Sequence, residues 1–400
     1  MREGWQVKKL KEVSEIGAGN SAPQEDKYFQ NGIYPFIRTS DVGRILFGSI
    51  SESADLLNEQ GIEKLKLIPA GTILIPKSGA STFLNHRVIL EVDAYVASHL
   101  ATIKTNQEVS NRYALYFLET VKAQDLIQDH SYPSLKLADI KEIKIPIPPL
   151  PEQKHIVAIL DEAFEAIDQA KANIKKNIEN AEELFQSKLN EIFSQRGEGW
   201  EEKPLGELTY VKSGGTPRRS TKEYWENGTI PWYSSGELNE LFTKKSEDLI
   251  TEKGLKESNA KLFPKGSLLI GMYDTAALKM SILDRDGTFN QAISGAKPNE
   301  NLNLQFVMHA INAIKPELMK QRRGVRQKNL NLTKIKAIPI PFPNIEVQNE
   351  VVAHLSELQN YTVTLIESYQ NKLEDFDELK KSILQKAFSG ELTASEEVAA

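Results

Sequence analysis

The stretch IPIPPLPEQKHIVAIL, residues Ile145–Leu160, turns from a proline-rich segment into an apolar helical pattern. Proline lacks the backbone donor that a helix interior needs, so Ile145–Pro149 is predicted to be an extended connector. Pro151 suits the first turn of a helix, and Glu152 is favourably placed near the positive end of that helix. Apolar residues then recur at alternating steps of four and three until Gly197, which is typical of a coiled-coil helix. The stretch predicts the border between a globular domain and a long helix.

The same border occurs a second time, in IPIPFPNIEVQNEVVAHL at Ile338–Leu355, before another striped helix that ends near Gly390. Further anchors pair in order at a constant shift of 195 residues, and GIYPF aligns with GTIPW at one residue more. The paired anchors are Gly4-Trp5 with Gly199-Trp200, Leu10 with Leu205, Gly19 with Gly214, Pro69 and Gly71 with Pro264 and Gly266, and Phe193-Ser194 with Phe388-Ser389. We interpret the chain as an internal duplication.

The predicted fold class is α+β, with two mixed α/β globular domains and two long antiparallel helices that form a coiled coil, in a pseudo-two-fold repeat. Apolar runs such as Thr72–Ile75 and Ser267–Ile270, bounded by proline and glycine, predict strands. Asn111–Gln128 and Leu304–Lys320 are predicted helices. The predicted divisions are a first domain at 1–150, a spacer helix at 151–197, a second domain at 198–343 and another spacer helix at 344–400.

Charge is distributed unevenly along the chain. The whole sequence has a formal net charge of −6, but residues 198–343 carry +5 and residues 344–400 carry −7. The acidity therefore belongs mainly to the predicted helices, and whole-chain charge is a poor guide to the partner. The absence of cysteine excludes disulfides and cysteine-based zinc sites. No signal segment or membrane-length apolar run is recognisable, so a cytoplasmic protein is expected.

Catalytic motifs are not recognisable in the sequence. No two of its six histidines have zinc-ligand spacing, and no phosphate-binding loop or nucleophile elbow occurs. Asp284 and Asp286 flank Arg285 in what is predicted to be a solvated hairpin. We therefore expect a chain without its own catalytic site, metal or cofactor.

The strongest polar cluster is the basic segment Lys320–Asn329, directly after a predicted helix. Arginine and lysine can pair with phosphates or guanine edges, and glutamine can read adenine, so this composition suits DNA; a solvated basic loop is the alternative. A second candidate loop is Thr216–Lys222. The DNA-binding candidates of the second domain are Arg218, Arg219, Ser220, Thr221, Lys320, Arg322, Arg323, Arg326, Gln327 and Lys328.

The corresponding loops of the first domain are Asn20–Lys27, whose side chains differ from those of Thr216–Lys222, and Asp125–Ser134, which carries little charge and would have to read by hydroxyl, ring and backbone groups. Arg38, Arg44, Lys77 and Ser78 elsewhere in this domain add to these loops. The first-domain candidates are Asn20, Gln24, Lys27, Arg38, Lys77, Ser78, His130, Tyr132 and Ser134. The aromatic pairs Tyr224-Trp225 and Trp232-Tyr233 are expected to pack in the core rather than to stack on bases.

The two proline-to-helix borders, the openings GWQVKKLKEV and GWEEKPLGEL, SGGTP at Ser213–Pro217 and FNQAI at Phe289–Ile293 together resemble the specificity subunits of type I restriction–modification systems. The resemblance implies a non-catalytic chain with two target recognition domains, each reading one half of a split DNA site, and with helices that set the unread gap. It also implies two modification subunits that bind S-adenosylmethionine and methylate adenine, and motor–nuclease subunits for cleavage. The second copy has Asn344–Val347 at its border, which leaves the start of its helix open.

Two other functions are weighed against this one. The chain could be a coiled-coil scaffold whose globular domains bind proteins, or a nuclease with an unrecognised site. Steep salt dependence of duplex binding separates DNA recognition from the scaffold, because each phosphate contact releases counterions. Methylation or cleavage by the isolated chain would favour an enzyme.

Overall fold

The computed structural model describes residues 4–127, 133–195, 197, 199–320 and 330–394. The chain forms two compact units, one from Met1–Ile174 with Asn371–Ala400 and the other from Lys175–Gln370. The first unit holds the first domain and the second unit holds the second domain, each with a part of both long helices. The predicted divisions at 150, 197 and 343 stay a prediction.

Short strands and helices alternate in the first domain. Its strands are β1 Gln6–Lys9, β2 Ser14–Ala18, β3 Tyr34–Ile37, β4 Phe47–Ile50, β5 Asp55–Leu57, β6 Ile73–Pro76, β7 Arg87–Leu90, β8 Tyr95–Val96, β9 Leu100–Thr105 and β10 Lys144–Ile147. Its helices are α1 Leu10–Val13, α2 Thr39–Ile45, α3 Glu59–Ile62, α4 Asn111–Glu119 and α5 Leu137–Glu142, with 3-10 turns at Asp26–Tyr28, Ala80–Leu84 and Ala123–Asp125.

The described residues of this domain form three sheets, ordered β2-β9-β6-β7-β4, β5-β3-β8 and β1-β10. The five-stranded sheet is buried on both faces because its central strands are almost continuously apolar. Ile73 and Ile75 of β6 pack in the cluster that contains α4, whereas Leu74 between them packs in the cluster on the other face.

The second domain repeats this order of elements. Its strands are β11 Glu201–Pro204, β12 Val211–Ser213, β13 Ile230–Tyr233, β14 Asp248–Ile250, β15 Leu268–Gly271, β16 Met280–Ile282, β17 Thr288–Phe289, β18 Ile293–Ala296 and β19 Pro339–Phe342. Its helices are α7 Leu205–Leu208, α8 Glu252–Lys256, α9 Leu304–Lys320 and α10 Leu332–Lys336, with 3-10 turns at Lys222–Tyr224, Ser235–Glu237 and Asp274–Ala276.

The sheets of the second domain have the same connectivity, in the orders β12-β18-β15-β16, β14-β13-β17 and β11-β19. The three-stranded sheet has one antiparallel and one parallel pair in both domains. Strand β4 has a single-bridge counterpart, since Phe242 pairs in parallel with Ile282 of β16. The duplication predicted from the sequence is therefore a duplication of structure.

The proline-rich segments are more than extended connectors. β10 pairs antiparallel with β1, with Pro146 opposite Val7, and β19 pairs in the same way with β11, with Pro341 opposite Glu202. A two-stranded ladder tolerates proline because each strand has an outer edge where no donor is needed. The sequence predicted extended connectors and did not reveal this pairing, since the partner strand lies far away in the chain.

Two long helices follow the proline-rich strands, α6 Leu150–Gln195 and α11 Ile345–Ser389. Pro151 lies in the first turn of α6, as predicted, and Gly390 ends α11 with a φ of 88°, a backbone conformation that glycine adopts readily. The two helices have 46 and 45 residues. At 1.5 Å per residue each is about 70 Å long.

A fully buried glutamine lies in the first turns of each long helix. In α6 the Gln153 amide oxygen accepts a hydrogen bond from the Ser110 N–H at 2.9 Å, and its nitrogen donates to the carbonyls of Glu108 and Pro148, both at 2.9 Å. Gln348 repeats the arrangement in α11. It accepts from Asn303 at 2.9 Å and donates to Asn301 at 3.2 Å and Pro343 at 2.8 Å.

Within the first unit, the two helices run antiparallel. Lys171 pairs with Asp377 at 2.6 Å, and Lys380 pairs with Asp168. Residue numbers therefore rise along one helix while those of the paired residues on the other fall, so the helices are antiparallel, as predicted. In the second unit, side chains of both helices share one apolar cluster with α9, which includes Leu189, Phe193, Phe306, Val352 and Leu355.

The end of α11 completes the core of the first unit. Leu384 and Ala387 are buried in the same cluster as Tyr113, and the Phe388 ring lies 5.2 Å from that of Tyr113 between centroids. Beyond the helix, the Thr393 hydroxyl donates to the Glu152 carboxylate at 2.8 Å. Trp5 donates to the other oxygen of Glu152 at 3.2 Å, so segments from both chain ends meet at the start of α6.

The predicted helix Asn111–Gln128 ends early, whereas Leu304–Lys320 is a helix over its full predicted length. α4 stops at Glu119 because the following turn is held from outside the helix. The Asn85 side chain accepts from the Ala123 N–H at 2.8 Å, and an Arg87 guanidinium nitrogen donates to the Val121 carbonyl at 2.5 Å. Apolar periodicity could not reveal these tertiary contacts.

His309 of α9 is buried, and burial lowers its pKa to about 4. Because this value lies below the pKa of an unfolded histidine, the unfolded chain binds the proton first. We expect the contribution of neutral His309 to the free energy of unfolding to be complete above about pH 6.5. As the pH falls towards 4, this contribution should decrease by up to about 1.4 kcal/mol per pH unit. Urea unfolding between pH 7 and 5 should show a shallower loss for His309→Gln than for the wild type. The exposed His354→Gln is the control, and equal slopes for all three proteins would contradict the assignment.

Candidate nucleic-acid interface

Three candidate positions of the first domain meet at one backbone segment, Ala97–His99, which we call the first junction. The Ala97 N–H donates to the Ile37 carbonyl at 2.9 Å, and the Ser98 N–H donates to the Asn20 carbonyl at 2.7 Å. The Lys77 N–H donates to the His99 carbonyl at 2.9 Å. Because β2, β3 and β6 all end here, the junction brings together the loops that carry Asn20, Arg38 and Lys77.

The second domain contains the same arrangement around Asn290–Ala292, the second junction. The Asn290 N–H donates to the Tyr233 carbonyl at 3.0 Å, and the Met272 N–H donates to the Ala292 carbonyl at 2.9 Å. The Gly215 N–H donates to the neighbouring Phe289 carbonyl at 2.9 Å. Strands β12, β13 and β15 end there. Backbone groups make these bonds, so the frame is independent of the side chains that it presents.

Lys77, Ser78 and Ser134 lie together beside the first junction. Ser78 forms a β-bridge with Ser134, and the Leu135 N–H donates to the Lys77 carbonyl at 2.8 Å. In the second domain the Leu330 N–H donates to the Met272 carbonyl at 3.0 Å. The segments that follow the two candidate loops, Asp125–Ser134 and Lys320–Asn329, therefore return to equivalent places in the two domains.

Several candidates of these two loops lie outside the described residues and stay predictions. They are His130 and Tyr132 in the first domain and Arg322, Arg323, Arg326, Gln327 and Lys328 in the second. Lys320 is described, as the exposed last residue of α9.

The loop Asn20–Lys27 supplies candidates of different kinds. The Asn20 side chain is committed to the fold, because its oxygen accepts from the Lys66 N–H at 2.7 Å and its nitrogen donates to the Lys66 carbonyl at 2.9 Å. Gln24 is exposed and donates to the Ala22 carbonyl at 2.8 Å. Lys27 is exposed and pairs with Glu25 at 2.8 Å, so Gln24 and Lys27 are more accessible to a ligand than Asn20.

The loop Thr216–Lys222 presents Arg218 and Ser220 to solvent, and Thr221 closes a turn by donating its N–H to the Arg218 carbonyl at 3.0 Å. Arg219 lies over the ring of Trp225. In the first domain Arg38 also lies over aromatic rings, and Arg44 is exposed and pairs with Asp41 at 3.6 Å.

The aromatic prediction holds for one of the two pairs. Trp232 and Tyr233 are buried, as expected of core residues. Tyr224 and Trp225 are only partly buried. The Trp225 ring packs edge-on against Trp232, with 5.2 Å between centroids. This ring forms part of the surface that carries Arg219.

Sequence reasoning missed two polar side chains at the junctions. The His99 ring nitrogen Nδ1 lies 2.6 Å from the Ser78 hydroxyl, and the exposed Gln291 accepts a hydrogen bond from the Thr216 hydroxyl. A lone histidine carries no motif. Gln291 lies inside the FNQAI segment, but nothing in that segment distinguished its amide from a structural residue.

The described part of the chain has no group of three or more histidine, aspartate or glutamate side chains arranged to hold a metal ion. Within the same residues, no helix is sufficiently long and apolar to cross a membrane.

Comparisons with known proteins agree with this duplicated architecture. The family model for the type I restriction modification DNA specificity domain matches twice, at residues 2–180 and 197–375. The chain is 29% identical to the EcoR124I/EcoR124II specificity subunit of Escherichia coli, over 66% of this chain and 67% of that one. It is 24% identical to a putative MjaX specificity subunit of Methanocaldococcus jannaschii, over 98% and 94% of the two chains.

Two solved structures share the fold. A chain from a study of complex assembly and conformational transition of the type I R-M system aligns with a TM-score of 0.78 at 19% identity, covering 98% of this chain and 99% of that one. The HsdS subunit of Thermoanaerobacter tengcongensis aligns with a TM-score of 0.66 at 19% identity, covering 98% of both chains. The twofold family match confirms the resemblance seen in the sequence, and the chain belongs to the family of specificity subunits of type I restriction–modification systems.

Proposed function

We propose that the chain gives a type I restriction–modification complex its DNA sequence specificity, with each domain reading one half of a bipartite site. One observation carries the proposal. The same backbone frame occurs at both junctions, at the ends of equivalent strands, and it presents different side chains in the two domains. Two domains that read different half-sites can share one backbone frame, because phosphate contacts position each domain on the duplex. They need different side chains on that frame, because base contacts specify the sequence.

The side chains around the junctions suit this division of work. In the second domain, Arg218 and Lys320 are exposed cations for phosphate or guanine, and the exposed amide of Gln291 bonds to Thr216 in the loop that carries Arg218. In the first domain, Lys77 supplies charge, while Ser78 and Ser134 supply short hydrogen-bonding groups. The second domain is therefore proposed to depend more on charge than the first.

The proposal extends to the partners. The two long helices set the gap between the half-sites and dock two modification subunits, which bind S-adenosylmethionine and methylate adenine; motor–nuclease subunits join them for cleavage. This chain binds no cofactor of its own in the proposal. Because its substrate is DNA, the proposal places the complex in the cytoplasm.

The proposal is tested by sequencing the methylome of a host that carries the chain with its modification subunit. We expect methylated adenines in one bipartite motif that is lost when the gene for this chain is deleted. The purified complex should bind that motif with an affinity that falls steeply with salt. Unchanged methylation after the deletion, or binding that is insensitive to salt, would instead favour a protein-binding scaffold.

A more specific prediction concerns the basic segment of the second domain. We expect Arg322→Ala and Arg326→Ala to weaken binding through one half-site only, because both residues belong to one domain. Duplexes altered in either half-site, titrated with the complex, measure the effect. Lys176→Ala removes an exposed charge from α6 and serves as the control. An equal loss of discrimination at both half-sites would contradict the assignment.

A further inference from the structure

Both domains hold an arginine guanidinium over the same two aromatic positions. In the first domain, the guanidinium carbon of Arg38 lies 5.7 Å from the ring centroid of Phe29 and 5.1 Å from that of Phe36. In the second, the guanidinium carbon of Arg219 lies 3.8 Å from the ring centroid of Trp225 and 4.7 Å from that of Trp232. EDKYFQNGIYPF and TKEYWENGTIPW align without gaps and place the two pairs of rings at the same positions.

The same carboxylate faces the guanidinium in both domains. Arg38 pairs through Nε with Asp55, the first residue of β5, and Arg219 pairs through Nη2 with Asp248, the first residue of β14, at 2.6 Å. The strand registers agree as well. Asp55 lies opposite Phe36, and Asp248 lies opposite Trp232. Rings, carboxylate and register are thus common to the two copies.

The arginine itself comes from a different loop in each copy. Arg38 directly follows β3, and the residue at its place in the second domain is Ser234. Both cap the next turn, since the Arg38 N–H donates to Asp41 at 2.8 Å and the Ser234 N–H donates to Glu237 at 2.6 Å. Arg219 belongs to the loop after β12, where a shift of 195 residues leads to Gln24. The guanidinium group thus lies at the equivalent place in both domains, although the arginine that carries it comes from a different loop in each.

Folding alone gives little reason to place a guanidinium there twice. The side chains of Arg38 and Arg219 remain 38% and 53% exposed, and ion pairs at such exposure add little to stability. Arg38 also lines an open cleft of about 530 Å³ with Gln24 and Asp55. The rings and the carboxylate fix the plane of the guanidinium, and neither contact uses all of its five N–H groups.

We propose that Arg38 and Arg219 are equivalent base-reading residues, each donating the free edge of its guanidinium to a guanine of the half-site read by its domain; this rests on the proposed function. A planar fork that is already held in place matches the O6 and N7 acceptors of guanine. The adjoining aspartate offsets the positive charge. It therefore disfavours a phosphate, which needs net positive charge, more than it disfavours a neutral base edge.

The test uses the complex with the modification subunits and duplexes that carry every single-base substitution in both half-sites. Arg38→Gln and Arg219→Gln should each lower affinity for the native duplex about 10- to 100-fold, the range of one bidentate base contact. Each should also abolish discrimination at one G·C pair, in one half-site only. A uniform loss on all duplexes would identify a phosphate contact and overturn the proposal. Lys253→Gln, which removes an equally exposed ion pair with Glu223, should leave affinity unchanged.

A second experiment moves each arginine to the loop that carries it in the other domain. Gln24→Arg added to Arg38→Ser should restore discrimination at the same G·C pair, and Ser234→Arg added to Arg219→Gln should do so in the other half-site. Melting temperatures establish that each variant is folded. If the wild-type complex methylated no bipartite motif, the proposed function itself would be refuted. Wild-type recognition that survives both arginine substitutions would refute only this inference.

Discussion

Duplicating residues 171–177 in α6 and residues 371–377 in α11 is expected to abolish methylation at the native site and to create a new one. The new site should have the same half-words and a gap longer by about three base pairs, because seven helical residues add about 10 Å. Seven residues also preserve the apolar stripe and rotate the helix by only about 20°. In the first unit, Lys171 at the start of the first segment pairs with Asp377 at the end of the second. Methylome sequencing of cells that carry the lengthened chain measures the outcome.

Duplicating only one of the two segments is the matched control. The lengthened helix would then be about 10 Å longer than its partner, so the two helices could not both span the distance between the domains, and we expect methylation to be lost without a new motif. Changed half-words in the doubly lengthened protein would show that the helices take part in base recognition and would contradict the spacer role.

Gln153→Met is expected to lower the free energy of unfolding by about 3 kcal/mol or more. Methionine has a similar length, but it leaves the buried Pro148 carbonyl without its partner, and likewise the partly buried Ser110 N–H and Glu108 carbonyl. An unpaired buried group costs about 1–3 kcal/mol, and each of the two partly buried groups costs less. Gln348→Met should have the same effect, since its amide makes the corresponding three bonds. Urea unfolding measured by circular dichroism determines the change.

Gln169→Met tests whether methionine itself disturbs the helix. Gln169 is exposed on α6, and its amide bonds to Asn173 one turn away, so a change below about 0.5 kcal/mol is expected. If Gln153→Met behaved like this control, the buried amide would contribute nothing to anchoring the helix.

Much of the fold could be predicted from the sequence because its signals are local or repeated. Pro151 indicated the start of α6, the apolar stripes indicated both long helices, and the paired anchors indicated the duplication. The pairing of the proline-rich strands could not be predicted in this way. β10 and β1 lie at opposite ends of the first domain in sequence, and no local pattern in Ile145–Pro149 indicates a partner.

The candidate surface was predictable only in outline. Loop positions could be matched by the constant shift, and the structure brings Lys77, Ser78 and Ser134 together. The constant shift could not reveal that Arg38 and Arg219 are equivalent, because neither has an arginine at the matching position of the other copy. Only the rings and the carboxylate around them show that they occupy the same place. Spacing along the chain describes the backbone frame, whereas recognition depends on where side chains converge.

The contribution of α11 to the first unit determines when the core of that unit can be completed during translation. The first domain leaves the ribosome early, but Leu384, Ala387 and Phe388, which cover Tyr113, are synthesised after the whole second domain. Its apolar surface therefore stays uncovered during most of translation, when it is open to chaperones and to aggregation. A message cut short before α11 yields a chain whose earliest domain is also incomplete. The first domain therefore gains its full core after α11 has been synthesised.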